Sequence, residues 1–177
     1  MKLASRFGWT PAMAVSAFML ALVSPAVAEG ITELEQATLA GLTGVGVIVL
    51  EMGPDAEIGG LAKSTLRTDV ELRLRQAGIR VLGENEALAA PGSPYLYLHV
   101  NTAKPQGGDI YAISIYLGLA QGVRLTRNPA IASMGTTWRA RGTIGTAPAN
   151  RLHQVRDAVR DNVDEFINAY LAANPKK

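Results

Sequence analysis

Two stretches of this chain alternate apolar and polar residues with a period of two, and together they decide what kind of sheet it can build. Between Tyr95 and Ala103, Leu96, Leu98 and Val100 fall on one side, and Tyr95, Tyr97, His99 and Asn101 on the other. From Ile110 to Arg127 the odd positions Tyr111, Ile113, Ile115, Leu117 and Leu119 form a core face, while Ala112, Ser114 and Tyr116 lie on the reverse. A sheet covered on both sides would need strands without a polar set, so one face is expected to stay open. The long strand must bend or bulge near Gly118 and Gly122. Turns at Pro105 to Asp109 and at Asn128-Pro129 join these strands to a glycine-rich third one, Gly135 to Thr146, which carries Trp138. Three strands with short connections make an antiparallel meander.

Ahead of the meander, Val45 to Glu51 is a β-branched run bounded by Gly44 and Gly53-Pro54, expected as a strand buried on both sides or nearly so. From Glu57 to Ala77 the period changes: Ile58, Ala62, Leu66, Val70, Leu74 and Ala77 define one helical face. Arg67 with Glu71, Glu71 with Arg75 and Asp69 with Arg73 stand four apart on that helix, and Gly78 ends it. Ile79 to Leu82 is expected as a short strand, giving a strand, helix, strand unit, and Glu84 to Ala90 as a brief helical turn. A last helix from about Arg151 to Ala172, with Asn150 as its N-cap, carries the stripe Leu152, Val155, Val159, Val163, Phe166 and Tyr170. Residues 30–41 are expected to dock loosely, and the tail from Asn174 to fray. The predicted fold class is α+β: a two-layer sandwich with a mixed, mostly antiparallel sheet of four to five strands and two long helices on one face.

The N-terminus reads as an export signal. Lys2 and Arg6 precede an apolar run from Ala12 to Val23, and Ala26-Val27-Ala28 supplies the small residues of a cleavage site, so the cut is expected after Ala28. The domain assignment is then a signal peptide at 1–28 and one periplasmic domain at 29–177. The apolar run falls short of the roughly 20 residues of a membrane span, so no integral membrane segment is expected after cleavage. Removing Lys2 and Arg6 takes the seventeen Lys and Arg down to fifteen, equal to the fifteen acids. The pI of about 9.0 therefore belongs largely to the leader, and nothing in the charge points to nucleic acid. With no cysteine, neither a disulfide framework nor a thiol nucleophile is available.

No stretch carries a diagnostic catalytic or metal spacing, and no cofactor and no metal site are expected. The segment Gly53 to Thr65 invites comparison with a phosphate-binding loop, but Ala62 and Glu57 stand where that loop needs glycine. His153 and Asp157 could offer two ligands on one helical face, and two ligands do not make a site. Asp157, Asp161 and Glu165 form an acidic row expected simply to be solvated. The candidate binding residues are those of the open face: Tyr95, Tyr97, His99, Asn101 and Tyr116, with Arg139 and Arg141 joining if no bulge shifts the phase of the last strand. Tyrosine and arginine offer large contact area with a polar end, which suits a partner surface. Gly118, Ala120 and Gly122 continue that face as a smooth strip for an extended ligand or another backbone.

At Leu66 to Leu82 and at Pro94 to Val100 the chain resembles small secreted bacterial proteins of uncharacterised function. Its order of elements is similar to the periplasmic parts of lipopolysaccharide-assembly and transport-auxiliary lipoproteins, although the lipid-bearing cysteine of those proteins is absent. The resemblance implies helices packed on one face of a small sheet. The expected function is a non-enzymatic binding or envelope-assembly accessory protein that holds an envelope protein or extended ligand on the open face or a strand edge, or that forms a homodimer. The alternative is a small hydrolase or small-molecule enzyme whose acid or base is Asp109, His99 or His153.

Overall fold

The computed structural model describes residues 33–52, 61–104 and 108–175. The leader and its cleavage site, the glycines at 59 and 60, the expected start of the first long helix, residues 105–107 of the first turn and the two terminal lysines lie outside the described residues.

In chain order the elements are β1 (Gly46–Val49), α1 (Lys63–Gln76), α2 (Glu84–Ala89), β2 (Tyr95–Ala103), β3 (Ile110–Leu125), β4 (Asn128–Arg139), β5 (Thr143–Pro148), a 3-10 turn (Ala149–Arg151) and α3 (Gln154–Ala173), preceded by a short helical segment at 33–37. One mixed sheet runs β1-β2-β3-β4, with β1 parallel to β2 and all other pairings antiparallel. β5 also pairs with β3, so the sixteen-residue β3 holds β5 along its first half and β4 along its second. This is the expected α+β sandwich.

The alternation in β2 and β3 does what its period demands. Leu96, Leu98, Val100, Ile115, Leu117 and Leu119 are buried on one side, where they meet Leu66, Val70 and Leu74 of α1 and Val159, Val163 and Phe166 of α3. Phe166 is fully buried and meets Trp138 of β4 edge to face, ring centroids 5.1 Å apart. Burying such a ring contributes about 1.5–3 kcal/mol, with about 0.5–1.5 more from the aromatic geometry. α1 stops at Gly78, whose φ of +80° lets its N–H reach Arg75 O while the Ile79 N–H reaches Leu74 O, a Schellman closure.

Several expectations need correction. The glycine-rich third strand is two strands: the hairpin turns at 126–127 rather than at Asn128-Pro129, β4 begins at Asn128, and the chain breaks at 140–142, where Gly142 takes a φ of +74°. Ile79 to Leu82 contributes a single parallel bridge, Val45 to Val81, instead of a strand. β1 is nearly buried as expected, with Gly46, Val47 and Val49 buried and Ile48 alone 40% exposed. α3 starts at Gln154; Asn150 lies in the 3-10 turn, and the cap position is taken by His153 without a side-chain bond.

The N-terminal segment is clamped rather than loose. Leu39 is fully buried, the Tyr170 hydroxyl donates to Leu42 O at 2.7 Å, and the Gln121 amide donates to Thr38 O at 3.2 Å. Asn174, expected to fray, accepts from the Gly41 N–H at 2.8 Å and donates to Leu39 O at 2.9 Å. Among the described residues no helix is long and apolar enough to cross a membrane.

Candidate functional site

The two long helices occupy one side of the sheet, and the reverse side carries the polar positions of β2 and β3. Register places His99 directly opposite Tyr116, Tyr97 opposite Gly118, and Asn101 opposite Ser114. Tyr97 and Tyr116 sit on neighbouring strands with ring centroids 5.5 Å apart, and the Tyr97 hydroxyl donates to that of Tyr116 at 3.3 Å. A further bond of 2.7 Å links the Tyr97 hydroxyl to Thr136 Oγ1 on β4. Gly118 leaves room for this arrangement: a Cβ there would lie 2.9 Å from the Tyr116 ring.

Arg139 enters the same face because it pairs with Gly118, and its guanidinium stands 3.9 Å from Glu35 of the N-terminal helical segment. A bulge between positions 119 and 120 of β3 sets the phase of β4: Trp138 opposes Leu119 on the core side, whereas Thr136 opposes Ala120 on the open side. Arg141 does not join this set. It lies beyond the end of β4, where its backbone N–H and guanidinium turn to Glu165 of α3, at 3.3 Å and 3.7 Å, on the helix side.

Tyr95 is partly withdrawn as well. Its ring covers Gly46 of β1, next to Ala87 of α2, and its hydroxyl donates to Glu84 O at 3.2 Å. The short α2 thus reaches round one corner of the open side. His99 and Asn101 continue the face, with Asn101 Nδ2 and His99 Nδ1 3.5 Å apart. Tyr97, His99 and Tyr116 are half-buried by one another, and Asn101 and Arg139 are exposed.

Two residues of this face escaped the sequence reading. Thr136 needed the bulge to be seen before its phase could be assigned. Ile144, 91% exposed opposite Ser114 on β5, is legible only once the break around Gly142 divides the third strand. With Ile48 on β1, it gives the polar face an apolar group near each margin.

Burial raises the Tyr116 hydroxyl above the ordinary phenol range. The Tyr116 hydroxyl therefore remains protonated through neutral pH, and the two tyrosines present hydrogen-bonding hydroxyls on aromatic rings. The three groups of the enzymatic alternative are spread apart: His99 is on the open face, Asp109 is exposed just before β3, and His153 caps α3 in the helix layer. Among the described residues, no three His, Asp or Glu side chains are grouped to hold a metal ion.

One groove lies away from this face and another reaches its margin. One of about 430 Å³ runs between α1 and α3, lined by Asp69, Arg73, His153, Arg156 and Arg160, and its charges largely pair with one another: Asp69 with Arg156 and Arg73 with Asp164. Another, of about 800 Å³, wraps the gap between β4 and β5 and joins Tyr116 and Arg139 to Glu35 and Glu165. No family model, curated protein or solved structure matches this chain.

Proposed function

We propose that this chain is a non-enzymatic accessory protein of the bacterial periplasm, exported by cleavage after Ala28, which holds an envelope protein or an extended ligand against the open face of its sheet. The reading rests on one observation: an aromatic and hydroxyl cluster, Tyr97, Tyr116 and Thr136, with Arg139 beside it, on the side the long helices leave uncovered. Aromatic rings with polar tips and an exposed arginine are enriched where partners bind, because they desolvate cheaply and still make directional bonds. The order of elements, which resembles that of the periplasmic parts of lipopolysaccharide-assembly and transport-auxiliary lipoproteins, is compatible with the same class of role.

A photo-crosslinking amino acid placed at Ser114, in the middle of the face, and at Arg151, in the turn before α3, tests this in the producing bacterium. Adducts of defined mass are expected from position 114 and not from 151, and Tyr97→Ala with Arg139→Ala is expected to abolish them. Equal labelling from both positions, or adducts indifferent to the double substitution, would refute the face assignment.

A further inference from the structure

Where β4 gives way to β5, the chain leaves the sheet. Gly118 pairs with Arg139 and Ile115 with Thr143, so the three residues 140–142 span what Tyr116 and Leu117 span on β3. The surplus bows outward through Gly142. α3 passes opposite this bow with Glu165, Asn168, Ala169 and Ala172, spaced three and four apart and therefore on one helix face. The two alanines leave room where longer side chains would close the gap. The result is the groove of about 800 Å³, which also touches the buried Trp138 and Ala140 and is bordered by Glu35 and Gln36 of the N-terminal segment.

The charges of this groove are left incompletely paired. Among the described residues nine ion pairs form, and the two longest both line it: Arg139 with Glu35 at 3.9 Å and Arg141 with Glu165 at 3.7 Å. Each of the other seven closes to 2.8 Å or less. At 3.7 Å and beyond, no hydrogen bond joins the charges. The groove between α1 and α3 is the contrast, since there Arg73, Arg156 and Arg160 are all closed onto aspartates. Arg139 and Arg141 belong to the strand wall of the larger groove, Glu35 and Glu165 to its helical wall. A ligand of a single sign would therefore meet repulsion from one wall.

We propose that this groove binds a short peptide with both termini free, its carboxylate on Arg139 and Arg141 and its ammonium on Glu35 and Glu165. The two arginines stand two residues apart, at most about 7 Å between Cα atoms, so their guanidinium groups can converge on one carboxylate through charge-assisted bonds. Two positive and two negative side chains sum to zero, which selects a zwitterion over a phosphate or a polyamine. A volume of about 800 Å³ lies in the upper part of the range of small-ligand sites and suits a few residues of peptide better than a single amino acid. Trp138, Ala140, Ala169 and Ala172 offer the uncharged surface on which its middle would lie. The site meets the open face only at Tyr116 and Arg139 and does not rest on the partner reading given to that face.

The test titrates the exported, purified protein with trialanine and follows the indole N–H resonance of Trp138 by NMR. That resonance is expected to shift saturably, and acetylating the amino end or amidating the carboxyl end of the peptide to weaken binding about tenfold or more. Arg141→Gln is expected to weaken trialanine about as much and the amidated peptide no further; Glu165→Gln should behave likewise toward trialanine and the acetylated peptide. A merely structural loss would weaken blocked and free peptides alike. Tyr97→Ala is expected to leave trialanine binding intact, and Arg141→Gln to leave any adducts formed at position 114 intact, so this site and the open-face reading fail separately. No shift of the Trp138 resonance at up to about 10 mM trialanine overturns the proposal. Binding indifferent to blocked termini, or to both substitutions, does so too.

Discussion

Replacing Asn174 by alanine should loosen both ends of the chain at once. Its amide makes three bonds: it accepts from the Gly41 N–H at 2.8 Å and donates to Leu39 O and Tyr170 O, both at 2.9 Å. A neutral hydrogen bond contributes about 0.5–1.5 kcal/mol net, and the one to exposed Gly41 belongs at the lower end because water replaces it. The expected loss is about 1.5–3 kcal/mol, which for a domain of this size lowers Tm by roughly 4–10 °C. Urea unfolding of Asn174→Ala beside Asn168→Ala provides the measurement; Asn168 is exposed on the same helix and makes no side-chain bond among those described. Hydrogen exchange should show lost protection at Leu39 and Leu42 with β2 unchanged, since the clamp holds the N-terminal segment and not the sheet. If Asn174→Ala were no more destabilising than Asn168→Ala, or if exchange rose evenly over the whole chain, the clamp would have no energetic role.

Other perturbations separate the face from the core. Gly118→Ala should displace the Tyr116 ring while costing less than about 1 kcal/mol, because a flexible side chain gives way and not backbone; NMR of the tyrosine ring protons with a urea titration checks both halves. Trp138→Ala removes the edge-to-face partner of Phe166 and should cost about 3–5 kcal/mol in the same titration. Alkaline stability should fall as pH rises past about 10. Burial raises Tyr116 and Tyr170 in the folded state, so the unfolded chain ionises first, and Tyr116→Phe with Tyr170→Phe should flatten that limb. Glu71 behaves in the opposite sense. Burial alone would raise its carboxyl, but hydrogen bonds from Arg67 and Arg75 outweigh burial and hold it below the usual range. Its contribution is present above the ordinary glutamate pKa and is lost as pH falls through the lowered value, so Glu71→Gln should remove part of the acid sensitivity seen by circular dichroism.

The alternation of β2 and β3 was legible, and so were the stripe of α3 and the Leu66, Val70 and Leu74 part of that of α1, which starts at Lys63 and not at Glu57 among the described residues, because each pattern is local and each period has one structural solution. The tyrosine pair could be placed on one face from that alternation alone. Arg141 could not, since its position depends on the bulge opposite Leu119 and the break near Gly142, and neither leaves a mark in the period before the phase has already slipped. The charges on α1 show the same boundary. Arg67, Glu71 and Arg75 pair within the helix as their spacing predicts, but Asp69 and Arg73, also four apart, turn instead to Arg156 and Asp164 of α3.

By itself the amino-acid order determined which residues of β2, β3 and the two long helices face the core, that the sheet would be covered by long helices on one side, and therefore that Tyr97, His99 and Tyr116 would lie on the other. Tertiary structure alone decided that Leu39 is buried and Asn174 holds it, that Arg139 comes to the face while Arg141 goes to Glu165, and that β3 is shared between β4 and β5. The division has a physical cause. Side-chain direction follows from local backbone geometry with a fixed period, whereas partner choice among polar groups is settled only when distant segments meet and the nearest unsatisfied donor, acceptor or charge becomes available.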